Sequence, residues 1–148
     1  MNMSVTELKA EGAPAGEVEL QNLLRQQLVQ DDNVIAEELR SAGKVINYAK
    51  GDVLMERGEW SDHVVFILSG EVGVVIGGNV IATLVADQHV GEMAVVDPNK
   101  SRSATVEAVT DAKCLIVEGE DFCRIADNYP MMWRRISSEM AERLRRRG

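Results

Sequence analysis

The sequence predicts a mainly β domain with flanking helices: an antiparallel jelly-roll β-barrel interrupted by one short helix. Three observations lead there. Between residues 45 and 117 the chain breaks into short runs rich in Val, Ile and Leu, at 45–49, 53–55, 63–68, 72–76, 80–85, 103–109 and 113–117. Glycine-centred turn signals separate them: Lys50-Gly51-Asp52, Arg57-Gly58-Glu59, Ser69-Gly70-Glu71 and Gly77-Gly78-Asn79. The last two suit tight hairpins, which need positive φ. Short strands at this spacing close into a barrel or jelly roll. On either side of this stretch the apolar period is helical instead.

The elements follow in order. Residues 1–16, rich in Ala, Gly, Glu and Pro without periodicity, predict a flexible N-terminal arm. Residues 17–43 form an N-terminal helical segment. Leu20, Leu23, Leu24 and Leu28 recur at helical spacing over 17–30. Asp31 and Asp32 then offer an N-cap for a second helix with Val34, Ile35 and Leu39 inward and Gly43 as its stop. The β-roll occupies 44–118, and two C-terminal helices fill 119–148. The first of these ends at Tyr129-Pro130, because proline disfavours helix in the residue before it. Pro130 suits the first turn of the second, longer helix. There Trp133, Ile136, Met140 and Leu144 line one face, expected to close over the barrel mouth as a lid. Residues 17–148 thus make one domain.

Composition excludes several function classes. The 148 residues carry a formal net charge of −8, which argues against general affinity for nucleic acid or an anionic membrane. The segment 131–148 runs the other way, with six arginines against two glutamates, and reads as a solvated amphipathic helix. Cys114 and Cys123 make no disulfide framework. The first residues lack the basic start and apolar stretch of a signal peptide, and no apolar run approaches the roughly 20 residues that span a bilayer. A cytoplasmic protein is expected. His63 and His89, the two histidines, make a poor metal site, and no serine sits in a nucleophile elbow. Gly77-Gly78 lacks the Lys-Ser/Thr of a phosphate-binding loop. The expectation is a protein without catalytic residues, metal or cofactor.

One stretch carries chemistry. Val90-Gly91-Glu92-Met93-Ala94-Val95-Val96 reads as a one-turn helix, and a strand then brings back Arg102-Ser103-Ala104-Thr105-Val106. The free N–H groups of a helix start attract anions, phosphate above all. A nearby arginine adds planar, bidentate hydrogen bonds to the same oxygens. Glu92 remains to accept a hydroxyl. A phosphate and a hydroxyl on one ligand suggest a nucleotide.

Laid out in full, residues 90–108 resemble the phosphate-binding cassette of the cyclic nucleotide-binding domain family. The pattern is aliphatic, Gly-Glu, any residue, small, aliphatic, a gap, then Arg-Ser/Thr-Ala-x-aliphatic-x-small, closing here on Val106 and Ala108. The upstream glycine signature is present as Gly58-Glu59, then Val-Val-Phe-Ile-Leu-Ser and Gly70. Ser61 stands where Gly or Ala is common, a departure expected to concern a turn and not the ligand. Asp87-Gln88-His89-Val90 replaces the Gly and aromatic residues often found before the cassette. The resemblance extends over about 44–147 and includes the domains of bacterial cyclic-nucleotide-gated channels and catabolite activator proteins.

It implies roles residue by residue. Glu92 would accept the ribose 2′-hydroxyl, beside Val90 and Gly91 of the cassette. Arg102 would pair with the cyclic phosphate, alongside N–H groups of Met93, Ala94 and Ala104, and Ser103 would bond the phosphate or the purine. Arg143 falls where channel members of the family place a residue that stacks on the base. The expected function is a sensor of cAMP, with cGMP next, whose last helix signals to an effector protein or to a second copy of the chain. The sensor is expected to have no output domain of its own, a chain ending at Gly148 being expected to leave no room for the helix-turn-helix of a catabolite activator. The alternative is a structural or interaction module that kept the barrel and lost its ligand. A cupin-type enzyme is weakened by the histidine count.

Overall fold

The computed structural model describes residues 12–147. Two antiparallel sheets face each other, with helices against the outer side of one of them. Along the chain come β1 (Ala13–Pro14), α1 (Glu17–Leu24), α2 (Asn33–Ala42), β2 (Lys44–Tyr48), β3 (Val53–Met55), β4 (Val64–Ser69), β5 (Glu71–Ile76), β6 (Asn79–Val85), β7 (His89–Val90), α3 (Met93–Val96), β8 (Thr105–Ala108), β9 (Ala112–Val117), α4 (Gly119–Asn128) and α5 (Met131–Arg147). The five-stranded sheet runs β1-β2-β9-β4-β7 and the four-stranded sheet β3-β8-β5-β6.

The continuous apolar runs of β4 and β9 have a structural reason. Successive side chains of a strand point to opposite faces, so a strand covered on both sides needs no polar alternation. Val65 and Ile67 of β4 join Cys114 and Ile116 of β9 in the layer between the sheets, with Leu54, Val72 and Val106. Val64, Phe66 and Leu68 join Leu115 and Val117 on the other face, against Leu23, Leu39, Phe122, Ile125 and Ile136 of the helices. Phe66 stands opposite Leu115 in the ladder and Ile67 opposite Cys114, so one register serves both layers. β6 is the opposite case, a sheet edge on which Val80, Ile81 and Val85 are exposed.

Several expectations need correction. The arm is not loose over its described end: Ala13 and Pro14 pair with Val45 and Lys44 and extend the sheet. The rest of the arm, 1–11, lies outside the described residues. The first helix stops at Leu24 instead of running to residue 30: the N–H groups of Arg25 and Gln26 turn to the i−3 carbonyls of Asn22 and Leu23, that of Gln27 donates to Asp87 O, and Gln30 and Asp31 then take positive φ. The buried Gln26 amide donates to Ile67 O at 2.8 Å and ties this turn to β4, while Leu28 is buried from the turn and not from a helix. Asp32 caps α2, its carboxylate accepting from the N–H groups of Val34 and Ile35. Val34 itself points outward, and Ala36 takes its place beside Ile35 and Leu39. Gly43 ends α2 at negative φ. Its requirement is space, since a Cβ there would meet the Leu115 side chain at 2.6 Å.

The C-terminal helices hold as expected except at their far end. Trp133 packs edge-on against Phe122, its indole N–H donating to Asp127 at 2.9 Å, and Met132 and Ile136 are buried. Leu144 is 69% exposed, so the apolar stripe of α5 runs out after Met140. No helix among the described residues is long and apolar enough to cross a membrane.

Candidate functional site

The site forms where β7 turns into α3 and where the chain returns at residue 102. Gly91 sits at φ +95°, a conformation that favours glycine. A Cβ there would also lie 2.8 Å from His63 O and 3.0 Å from Arg102 Nη1. Backbone conformation and close approach both demand glycine. This lets the Arg102 guanidinium lie directly on the peptide that precedes Glu92.

Arg102 is buried and held on three sides. Nη1 donates to Gly91 O at 2.9 Å, Nη2 to His63 O at 2.7 Å and Nε to Ser61 Oγ at 3.0 Å. Its backbone is clamped as well: its N–H donates to Glu59 O, and its carbonyl accepts from Gly58 N–H, both at 2.8 Å. The upstream glycine signature therefore builds the seat for the cassette arginine. Ser61, whose hydroxyl also bonds Glu59, is part of that seat, so its departure from the family pattern concerns the site and not merely a turn. Burial lowers the Arg102 pKa, and Glu59, Asp62 and Glu92 oppose the shift. His63, wholly buried beside this cation, is pushed down to about 4, by burial first and Arg102 second, and stays neutral.

Glu92 opens α3 and is buried on the other side of the cassette. Its Oε1 lies 3.7 Å from His89 Nε2 and 3.3 Å from Arg143 Nη2. Among the described residues its ion-pair partners are these two, so Glu92 and Arg102 make no ion-pair contact with each other. Burial would raise the Glu92 pKa, but His89 and Arg143 bring it below the usual carboxylate value. His89 Nε2 also lies 3.1 Å from Glu139 Oε2 of α5. Burial alone would lower the His89 pKa; ion pairing with Glu139 and Glu92 outweighs it and raises the value to about 9.

The remaining expected residues are placed as follows. Val90 pairs with Val65 and is half-buried, Met93 and Ser103 are exposed, and Ala94 and Ala104 are half-buried. The Ala94 N–H already donates to Gly91 O at 3.3 Å, closing the first turn of α3, so it is not free as expected. Arg143 does reach the cassette, with its guanidinium on Glu92. Sequence reasoning missed Ser61, His63, His89 and Glu139. Two signals were available. His89 and Glu92 stand three apart across the β7–α3 turn, and Glu139 and Arg143 stand four apart on one face of a helix.

The chemistry of this arrangement is a guanidinium seated beside one peptide of the cassette and a buried, ionised carboxylate beyond it. Known proteins share its frame. Residues 45–129 match the family described as cyclic nucleotide-binding domain. The Pycsar effector protein PaPycTIR of Pseudomonas aeruginosa is 36% identical over 135 residues, 90% of this chain and 44% of that protein. The Pycsar effector protein XpPycTIR of Xanthomonas perforans is 33% identical over 125 residues, 84% of this chain and 41% of that protein. The chain thus spans less than half the length of these relatives. The crystal structure of Thermus thermophilus catabolite activator protein superposes with a TM-score of 0.72 at 24% identity, over 82% of this chain and 59% of that one, a likeness of fold. With the match spanning more than half of the chain and the cassette intact inside it, the protein belongs to the cyclic nucleotide-binding domain family.

Proposed function

We propose that this chain is the sensing module for a 3′,5′-cyclic nucleotide, with cAMP the first candidate ligand and cGMP the second. The observation that carries the reading is Arg102, buried, ionised and anchored to Gly91 O inside the cassette. Its guanidinium neutralises the cyclic phosphate, Glu92 accepts a ribose hydroxyl, and Ser103 and the amides of Met93 and Ala104 line the same approach. The nucleotide acts by population shift, favouring the arrangement in which α5 packs on the cassette. The surface so changed meets an effector, either a partner protein or further sequence like that of the longer Pycsar effector relatives. The working place of this sensor is the cytoplasm.

Calorimetric titration tests the reading, using cAMP, cGMP and the two pyrimidine cyclic nucleotides. Binding by wild type, weakened in Arg102→Ala, is the expected result. No heat with any of them up to millimolar concentration rejects it. The engagement of Arg102 with protein carbonyls and Ser61 also suits a second reading, an interaction module that kept the arginine for structure alone. In that case Arg102→Ala lowers stability while wild type binds no nucleotide.

A further inference from the structure

β7 carries a polar residue where the fold needs only an apolar one. His89 pairs with Phe66 in the sheet, lies against that ring at 6.1 Å between centroids and is 3% exposed. Neither ring nitrogen makes a well-directed hydrogen bond. Nε2 instead stands between two carboxylates, 3.1 Å from Glu139 and 3.7 Å from Glu92. Glu92 in turn touches Arg143. The four groups form two cations against two anions, and two of the four come from one face of α5, four residues apart. The helix therefore reaches the cassette carboxylate twice, directly through Arg143 and through His89 by way of Glu139.

The His89–Glu92–Glu139 triangle, with its ligand atoms within 4.8 Å of one another, has the spacing of a cation site. Arg143 already brings positive charge to the same Glu92 oxygen, which favours the ion-pair arrangement. One imidazole N–H between two acceptors is a divided donor. A buried donor gains most when it is fully directed at one acceptor. A hydroxyl that donates to Glu92 meets part of that carboxylate's demand and leaves the His89 N–H to Glu139.

We propose that His89 is a positioning residue that couples occupancy of Glu92 to the docking of α5, with Glu139 as its contact on the helix. The inference rests on the sensor reading above, with Glu92 at the sugar end of the ligand. It makes the 2′-hydroxyl, not the phosphate, the group that α5 detects.

Amide hydrogen exchange across 131–147 tests it, in wild type and Glu139→Gln, each alone, with saturating cAMP and with saturating 2′-deoxy-cAMP, or with the matching cGMP pair. In wild type the ribonucleotide slows exchange of α5 by about tenfold, the scale of one charge-assisted hydrogen bond, and the deoxy analogue slows it far less. Glu139→Gln still binds the ribonucleotide in calorimetry but loses that slowing. His89→Phe reproduces the pattern if it folds; Glu139, on the surface of α5, carries the test if it does not. Equal protection by the two nucleotides, or protection that survives Glu139→Gln, overturns the coupling and leaves the sensor reading standing. Wild type that binds no nucleotide overturns both.

Discussion

The two ends of the cassette are built from different materials. Around Arg102 two main-chain carbonyls accept from Nη1 and Nη2, with Ser61 Oγ and, at 3.5 Å, His63 Nδ1 beside them, all within the β-roll. Around Glu92 the ion-pair partners are the side chains of His89 and Arg143, and Arg143, like the Glu139 that pairs with His89, comes from α5. Main-chain partners move only when the sheet moves, whereas side-chain ion pairs across to a helix can open while the sheet stays intact. The Arg102 end is therefore a fixed seat, and the Glu92 end is the part able to move with α5; in the proposed sensor these are the phosphate and sugar ends. The two buried histidines mark the same division, His63 neutral in the seat and His89 charged at the helix contact.

The largest effect that would break this comparison comes from the seat. Arg102→Ala should weaken cyclic-nucleotide binding by at least an order of magnitude, since a charge-assisted hydrogen bond contributes about 1.5–3 kcal/mol. It should also destabilise the fold, because His63 O loses the Arg102 donor and Gly91 O keeps only the longer bond from Ala94 N–H. Calorimetry and urea denaturation separate the two losses, and an Arg102→Ala variant with unchanged affinity would remove the seat from the ligand site. Gly91→Ala comes next. A Cβ at φ +95° within 2.8 Å of a carbonyl oxygen should cost on the order of 1–3 kcal/mol in denaturation, with Arg102 displaced from its seat.

The histidines sharpen the comparison through pH. His63 has its folded pKa lowered to about 4, so its contribution is complete above the unfolded value near 6.5 and is lost as pH falls toward 4. Glu92, also lowered, adds to loss in acid. His89 has its folded pKa raised to about 9, so its contribution is complete below about 6.5 and is lost as pH rises through 9. The groups facing it are Glu92 and Glu139, with Arg143 on Glu92. Denaturation midpoints should therefore peak near pH 6.5, and Glu139→Gln should flatten the alkaline limb while leaving the acid limb in place. The smallest effect lies at the end of α5. Leu144→Gln should change stability by no more than about 0.5 kcal/mol, against about 2–5 kcal/mol for Ile136→Ala in the same helix. A large loss at Leu144 would mean that the last turns of α5 pack on something, and the helix end would no longer be the loose half of the pair.

Much of this was determined by the sequence alone. Strand runs, glycine turns and the flanking helical periods specify local geometry, and local geometry follows from φ preferences and apolar spacing that each residue carries with it. The cassette is legible for the same reason: Gly91, Glu92 and Arg102 are required together at one turn and at the segment that leads into β8. What only the tertiary structure decided is who meets whom over distance. Ser61 and His63 become partners of Arg102, and Glu139 meets His89, across separations that no periodicity encodes. The same holds for Val34 and Leu144, whose helical spacing promised burial that no facing element among the described residues supplies. An amphipathic pattern says which side of a helix is apolar, but coverage of that side depends on where the rest of the chain ends up.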